Sequence, residues 1–460
     1  MHLTSTVSQR SWSIPGWLPA VMVLLVTIAI GPSLGSLSRP VFVLACGAAG
    51  WYAWRCSPAA HLQTAIILFT FAPLVRRLVD LSIGFDQAGF MLVGPLLALL
   101  APVPQLRHLL DGQRSLRAQT APMLIVTGCI VYMTMLTVFQ GEWMMTASGA
   151  LKWFVPLLYA AAVGLSADRD EMVQAAASVF VVILPIIGVI GLAQYVDPPA
   201  WDRYWMQFAP IMSVGQPIPY GVRVFSTMNG PASFATFTAA GLLLVSFLRP
   251  RWYSLLLATP AALAFFLSLY RTAWMSLAVG VLFCLFFAAS RRRAGVILVG
   301  LLAAAVIAAT ATPFGELISE RLASLGDGIG DDSAQERLDQ YVTLWTTWDS
   351  SLFGIGFSTS DVGTAGAMAV DGMIISLWLS AGLVIGMICL LAIIWVAGNA
   401  IAAAWRDASP EAIMLGALAA GALVQLPLAN LTSGESGFLF WTFAVLATLP
   451  SRASPRHGVP

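Results

Sequence analysis

The chain has 460 residues, of which 58% are hydrophobic and 10% charged, and its formal net charge is +1. Soluble globular proteins carry about 25% charged residues, so this composition excludes a globular domain covered by water and requires lipid around much of the chain. A net charge so close to zero selects no partner, and a nucleic-acid partner is not expected.

In chain order, residues 1–16 are polar and the apolar run after them is long enough to span a bilayer, so no cleavable signal peptide is expected. A span needs about 20 apolar residues. Stretches that meet or approach this length lie near 17–37, 40–54, 60–75, 88–104, 121–139, 150–166, 172–195, 232–248, 252–270, 272–290, 294–312, 371–396, 411–428 and 436–450. They predict one all-α integral membrane domain over 1–460, a polytopic transmembrane helical bundle of about 12–14 spans. Pro73, Pro95, Pro156 and Pro185 are candidate interruptions of these spans.

Arginines mark alternate loops: Arg55, then Arg107, Arg114 and Arg117, then Arg169, Arg249 and Arg251, Arg291 to Arg293, Arg406, and Arg452 and Arg456. With Arg10, fourteen of the 23 basic residues fall on one side. The positive-inside rule makes that side the cytoplasm and puts both termini there. The other nine run against the rule, and anionic ligands are the leading reason for positive charge at the far face. All basic residues but Lys152 are arginines. An arginine-preferring GC-rich genome accounts for most of that bias. The five cysteines lie in or beside apolar stretches and the four histidines in loops or tails, none at metal-ligand spacing. Neither a disulfide nor a metal site is expected.

Two far-side loops stand out. Loop 196–231 opens Asp-Pro-Pro, a helix start with Asp197 as cap. Trp201, Tyr204, Trp205 and Phe208 then form a stripe that suits an interfacial helix, as an aromatic belt or for stacking sugars. Loop 313–370 is the longest polar segment and predicts two amphipathic helices. The first carries Phe314, Leu317, Ile318, Leu322 and Leu325. The second, after a Gly/Asp turn and a Ser333–Glu336 capping box, carries Leu338, Tyr341, Val342, Trp345 and Trp348. The spacing of the acidic turn is not that of an EF-hand.

Four segments in this order resemble the O-antigen polymerase and ligase superfamily (Wzy-type polymerases, WaaL-type ligases). They are Gly221-Val-Arg223-Val-Phe-Ser-Thr-Met-Asn229-Gly-Pro, Ser268-Leu-Tyr-Arg271-Thr-Ala-Trp, Ser333-Ala-Gln-Glu-Arg337 followed by Trp345 and Leu352-Phe-Gly-Ile-Gly-Phe357, and Asp371-Gly-Met running to Ser380-Ala-Gly-Leu383. Ligases place a histidine where this chain has Asp371. The acid there, and Arg76-Arg77-Leu-Val-Asp80, are closer to exopolysaccharide repeat-unit polymerases.

The resemblance implies a GT-C-like membrane glycosyltransferase of the bacterial cytoplasmic (inner) membrane. It would polymerise undecaprenyl-diphosphate-linked oligosaccharide repeat units on the periplasmic face, inverting the anomeric centre without metal or cofactor. The implied partners are the lipid-linked donor and acceptor, the bilayer, and a flippase with chain-length or export proteins. Arginine suits the leaving diphosphate, because its planar fork binds phosphate bidentately and keeps its charge. Arg223 and Arg271 lie at far-side ends of spans, as rim anchors, as partners of loop acids or as diphosphate ligands. Arg337, Arg76, Arg77 and Arg321 are further substrate-binding candidates. Asp371 is either the general base for the acceptor hydroxyl, or a helix cap or arginine partner. Asn229 either caps the helix entered at Pro231 or holds a sugar. The rival activities are an O-antigen ligase and, from another class, a secondary transporter.

Overall fold

The structure is a computed structural model, and the residues it describes are 14–110, 117–209, 212–311, 342, 345–346, 352–359 and 372–450. They form helices and turns, with one isolated β-bridge between Gly215 and Val222. The main helices, in chain order, are α1 (Leu18–Leu34), α2 (Ser38–Cys56), α3 (Pro58–Ile83), α4 (Val93–Leu99), α5 (Thr120–Phe139), α6 (Trp143–Ser166), α7 (Arg169–Val196) and α8 (Ala200–Phe208). They continue with α9 (Pro231–Leu248), α10 (Trp252–Leu267), α11 (Arg271–Leu285), α12 (Ala288–Ala311), α13 (Met373–Asp407), α14 (Pro410–Gln425) and α15 (Gly434–Ala447). Six helical stretches among the described residues are long and apolar enough to cross a membrane, and five more are apolar but shorter. The protein is therefore an all-α polytopic membrane protein.

The helix pattern follows the expected spans with one clear exception. Residues 88–104 do not form a span: a 3-10 turn at Phe90–Leu92 leads into α4, and a second 3-10 turn follows at Val103–Leu106. The apolar helix Phe90–Leu99 rises about 15 Å, against a hydrocarbon core of about 30 Å. It packs instead against α2 and α3. Elsewhere α11 lies along α14, α10 along α7, α15 along α6, and α13 against α5 and α14. Nearly all the buried apolar side chains merge into one continuous core.

The prolines do not interrupt the spans: α3 runs through Pro73, α6 through Pro156 and α7 through Pro185. The interruption comes at Gly382, whose φ of 81° and ψ of 170° break α13 near its start. Residues 352–357 fill that break. The Ile355 N–H donates to the Leu379 carbonyl at 2.8 Å, which satisfies a group that the break would strand. The Tyr132 hydroxyl donates to the Phe353 carbonyl at 2.7 Å, and the Phe357 N–H donates to Thr137 Oγ1 at 2.8 Å. Gly354 (φ 74°) and Gly382 meet back to back, and a Cβ on Gly354 would stand 2.4 Å from the Gly382 nitrogen. The Leu-Phe-Gly-Ile-Gly-Phe motif is thus a wedge. It pins one side of the long loop to α5, α6 and the broken helix. Gly354→Ala is expected to cost about 1–3 kcal/mol through strain and collision. Gly128→Ala, where a Cβ meets nothing within 4 Å, is the neutral control. Thermal unfolding of both variants in detergent checks this; equal midpoints would contradict the wedge.

At the end of the bundle opposite Arg271, Arg169 is buried, at 2% exposure. It donates to Asp170 Oδ1 at 2.8 Å, to Asp407, and to Ser409 Oγ at 3.0 Å. That cluster ties α7 to α13 and α14, so it belongs to the scaffold.

Candidate active site

The starts of α9, α11, α13 and α15 lie at the same end of the bundle as the last turns of α3, α7 and α14. The segment that enters α9 carries Arg223 and Asn229, and two networks hold it. Arg77, fully buried, donates to Asp202 Oδ1 at 2.5 Å and to the Ser226 carbonyl at 2.5 Å. Asp202 Oδ2 accepts from Gln194 Nε2 at 2.7 Å, and Gln194 Oε1 accepts from the N–H groups of Phe225 at 3.0 Å and Ser226 at 2.8 Å. The circuit closes on the peptide of Ser226. The Arg77 guanidinium also lies over the rings of Phe225, at 4.9 Å, and Trp205, at 6.0 Å. Burial pushes the Asp202 carboxyl above the ordinary carboxylate range, with Arg77 and Gln194 opposing.

The second network joins the two arginine motifs. The Val224 N–H donates to the Leu267 carbonyl at 3.1 Å, and Arg223 Nη2 donates to the Leu269 carbonyl at 3.0 Å. Leu269 lies two residues before Arg271, the first residue of α11. Arg223 and Arg271, 48 positions apart in sequence, therefore stand on adjoining, hydrogen-bonded segments. Three of the four non-glycine residues with positive φ among the described residues lie here: Tyr220 (60°), Ser226 (50°) and Leu269 (53°). Such conformations persist only where surrounding contacts over-determine them, and they concentrate at functional sites. The hydrogen bonds just described supply that constraint.

Several expectations change. Arg76 and Arg77 are not open to a substrate. Arg77 has both amino groups committed within the protein, and Arg76 pairs through Nε with Asp80 Oδ2 at 3.3 Å and donates to the Asp86 carbonyl. Arg39, which also runs against the sidedness rule, pairs with Asp80 Oδ1 at 3.0 Å, and Arg203 pairs with Asp197. Each of these four arginines thus has an acid of the protein itself as partner. Asp197 does not cap α8: the cap position is Pro199, with no side-chain bond. One face of α8 is turned to the protein. Asp202 and Trp205 are buried and dock it on α3, while Phe208 stays exposed at 52%. Asn229 does not cap α9, because Gly230 holds that position; its Oδ1 is buried and unpartnered among the described residues. The cap position of α13 is Gly372 (φ 100°), where a Cβ would stand 2.3 Å from the Pro427 carbonyl oxygen. Asp371, Arg321, Arg337 and most of the two helices expected in 313–370 lie outside the described residues. Of that loop, Trp345 meets Trp378 of α13 edge-on at 6.4 Å.

The start of α13 is fixed from the other side. The Met373 N–H donates to the Leu426 carbonyl at 2.9 Å at the end of α14. A cavity with about 60 Å³ of free space runs between α9, α11, α14 and α15. Among its lining residues are Thr236, Ala240, Ser276, Gln425, Ser436 and Phe440. No group of three or more histidine, cysteine, aspartate or glutamate residues able to hold a metal ion occurs among the described residues. Arginine is the charged chemistry that the two joined motifs offer, and it suits phosphate oxygens.

These features define a class: a polytopic α-helical membrane protein whose arginine-bearing loops meet at one end of the bundle. Residues 253–371 match the family model described as O-Antigen ligase (Wzy_C), which supports the O-antigen polymerase/ligase superfamily. The match runs from α10 through Arg271 to Asp371, and Arg223 and Asn229 precede it. No curated protein matches the chain.

Proposed function

We propose that this protein is a membrane glycosyltransferase that extends a glycan carried on undecaprenyl diphosphate, at the extracytoplasmic face of a bacterial inner membrane. The observation that carries the reading is the hydrogen-bonded joining of the Arg223 and Arg271 segments at one end of the bundle, beside a family match that contains Arg271 and Asp371. Arg271 and Arg223 hold the diphosphate and neutralise the charge that grows on it as it leaves. Arg337 and Arg321 are proposed to add to that grip from the long loop. Arg77 acts one step back, as a positioning residue, by fixing the peptide of Ser226.

In the reaction, the acceptor hydroxyl oxygen forms a bond to the anomeric carbon of the donor. The bond from that carbon to the diphosphate oxygen breaks and its electron pair leaves on the diphosphate. The hydroxyl proton passes to the Asp371 carboxylate. One displacement inverts the configuration, and arginines replace a metal ion in this scheme. Asp371→Asn is expected to stop turnover, by about 100-fold or more, while lipid-diphosphate binding persists. Turnover at the wild-type rate in that variant would remove Asp371 as the base.

Repeat-unit polymerisation is favoured over ligation because an acid stands where ligases carry histidine. Glycan analysis of a deletion strain separates the two. Single repeat units accumulating on lipid fit a polymerase, and long unattached chains fit a ligase. Among the described residues the broken helix α13 favours transport, since transporters bind ions at such breaks. Here the Leu379 carbonyl beside the break is already taken by the Ile355 N–H, which argues for a structural break.

A further inference from the structure

The turn between α14 and α15 carries a carboxylate with no part in the scheme so far. Glu435 stands in the first turn of α15, and one of its oxygens, Oε1, accepts from Ser233 Oγ in the first turn of α9. At this end of the bundle Asp80, Asp86, Asp197 and Asp202 each have an arginine partner. Glu435 has none among the described residues, and its Oε2 makes no hydrogen bond there. The turn holding it is firmly built. Trp441 Nε1 donates to the Thr432 carbonyl at 2.9 Å, and the Thr432 hydroxyl meets Met373 Sδ at 3.6 Å at the start of α13. Glu435 is thereby linked through Thr432 to the helix that Gly372 opens. Through Ser233 it is linked to the start of α9, where the Asn229 Oδ1 is buried and unpartnered. Gln425, 4% exposed with its Oε1 also unpartnered, lines with Ser436 the cavity next to this turn.

A bare carboxylate repels a diphosphate, so Glu435 does not belong to the donor's anionic group. It does suit neutral hydroxyls. A carboxylate accepts from two O–H groups, and an amide both donates and accepts. We infer that Glu435, oriented by Ser233 and accompanied by Asn229, forms the subsite for the acceptor sugar, with the carboxylate accepting hydrogen bonds from its ring hydroxyls. This rests on the glycosyl-transfer reading above. It gives this end of the bundle two roles, arginines for the lipid diphosphate and an acid with an amide for the incoming sugar.

The test uses the purified full-length protein and two probes: undecaprenyl diphosphate alone, and the lipid-linked glycan extracted from a deletion strain. Glu435→Gln keeps the shape and removes the charge. It is expected to raise the KM for glycan about tenfold or more, with product recovering as glycan is added. Retention of undecaprenyl diphosphate should stay within about twofold of wild type, and the pH profile of kcat should not move. Ser233→Ala, which leaves the charge in place, should give a smaller rise of the same KM. A wild-type KM in both variants overturns the subsite. So does a loss of lipid-diphosphate retention in Glu435→Gln as large as that of Arg271→Ala. If the wild-type protein retains no undecaprenyl diphosphate, the glycosyl-transfer reading falls and the subsite falls with it.

Discussion

Arg271→Ala is expected to lower glycan product by about 100-fold or more, in protein that still inserts and folds. The residue opens α11 at the end where the two arginine segments meet, and α11 is anchored along its length against α14. Loss of the side chain leaves the helix in place and removes the cation proposed to hold the leaving diphosphate. Arg223→Ala should have a comparable effect with an added structural part, because its guanidinium also holds the Leu269 carbonyl. Arg271→Lys should not restore full activity, since an ammonium cannot bind phosphate bidentately. The measurement is polymer length and amount in cells carrying each variant, with membrane levels checked in parallel. Wild-type polymer in both alanine variants would take the arginines out of the mechanism.

The second large effect concerns the fold beneath the site. Arg77→Ala or Asp202→Ala leaves a buried charge without its partner, which costs about 3–5 kcal/mol. The damage should be local as well as global, because Arg77 holds the Ser226 carbonyl and Gln194 holds the Ser226 N–H. Thermal unfolding in detergent and limited proteolysis near residue 220 report the two components. Arg77→Met combined with Asp202→Leu removes both charges and should recover part of the stability. The double variant should remain inactive if the Ser226 peptide needs its carbonyl held. Unchanged unfolding in either single variant would show that the circuit contributes nothing.

Hydropathy made the fold legible because lipid imposes a length and a polarity on every spanning helix. It misled at 88–104, where an apolar run is buried by protein and need not cross anything. It also missed the break at Gly382: a glycine within an apolar run looks like any other small packing residue, and the segment that fills the break comes from 352–357, across the long loop. The charges followed a similar pattern. Arg223 and Arg271 were visible as motif arginines at helix ends. The role of Arg77 was not, because its partner Asp202 lies 125 positions away and looks like an ordinary surface acid. Asp202 stands among aromatics that suggested a lipid-facing stripe. Gln194 was the available signal, a lone amide near the end of an apolar helix. Glu435 had no motif around it, and only its contact with Ser233, about 200 positions away, brings it to the site.

Arg223 and Arg271 are proposed to grip a polyprenyl diphosphate together. The direct measurement is retention of radiolabelled undecaprenyl diphosphate by purified wild-type protein and by the Arg223→Ala, Arg271→Ala double variant. Saturable binding by the wild type that falls at least about tenfold in the double variant is the predicted result. Equal retention by both, or none by the wild type, would contradict it.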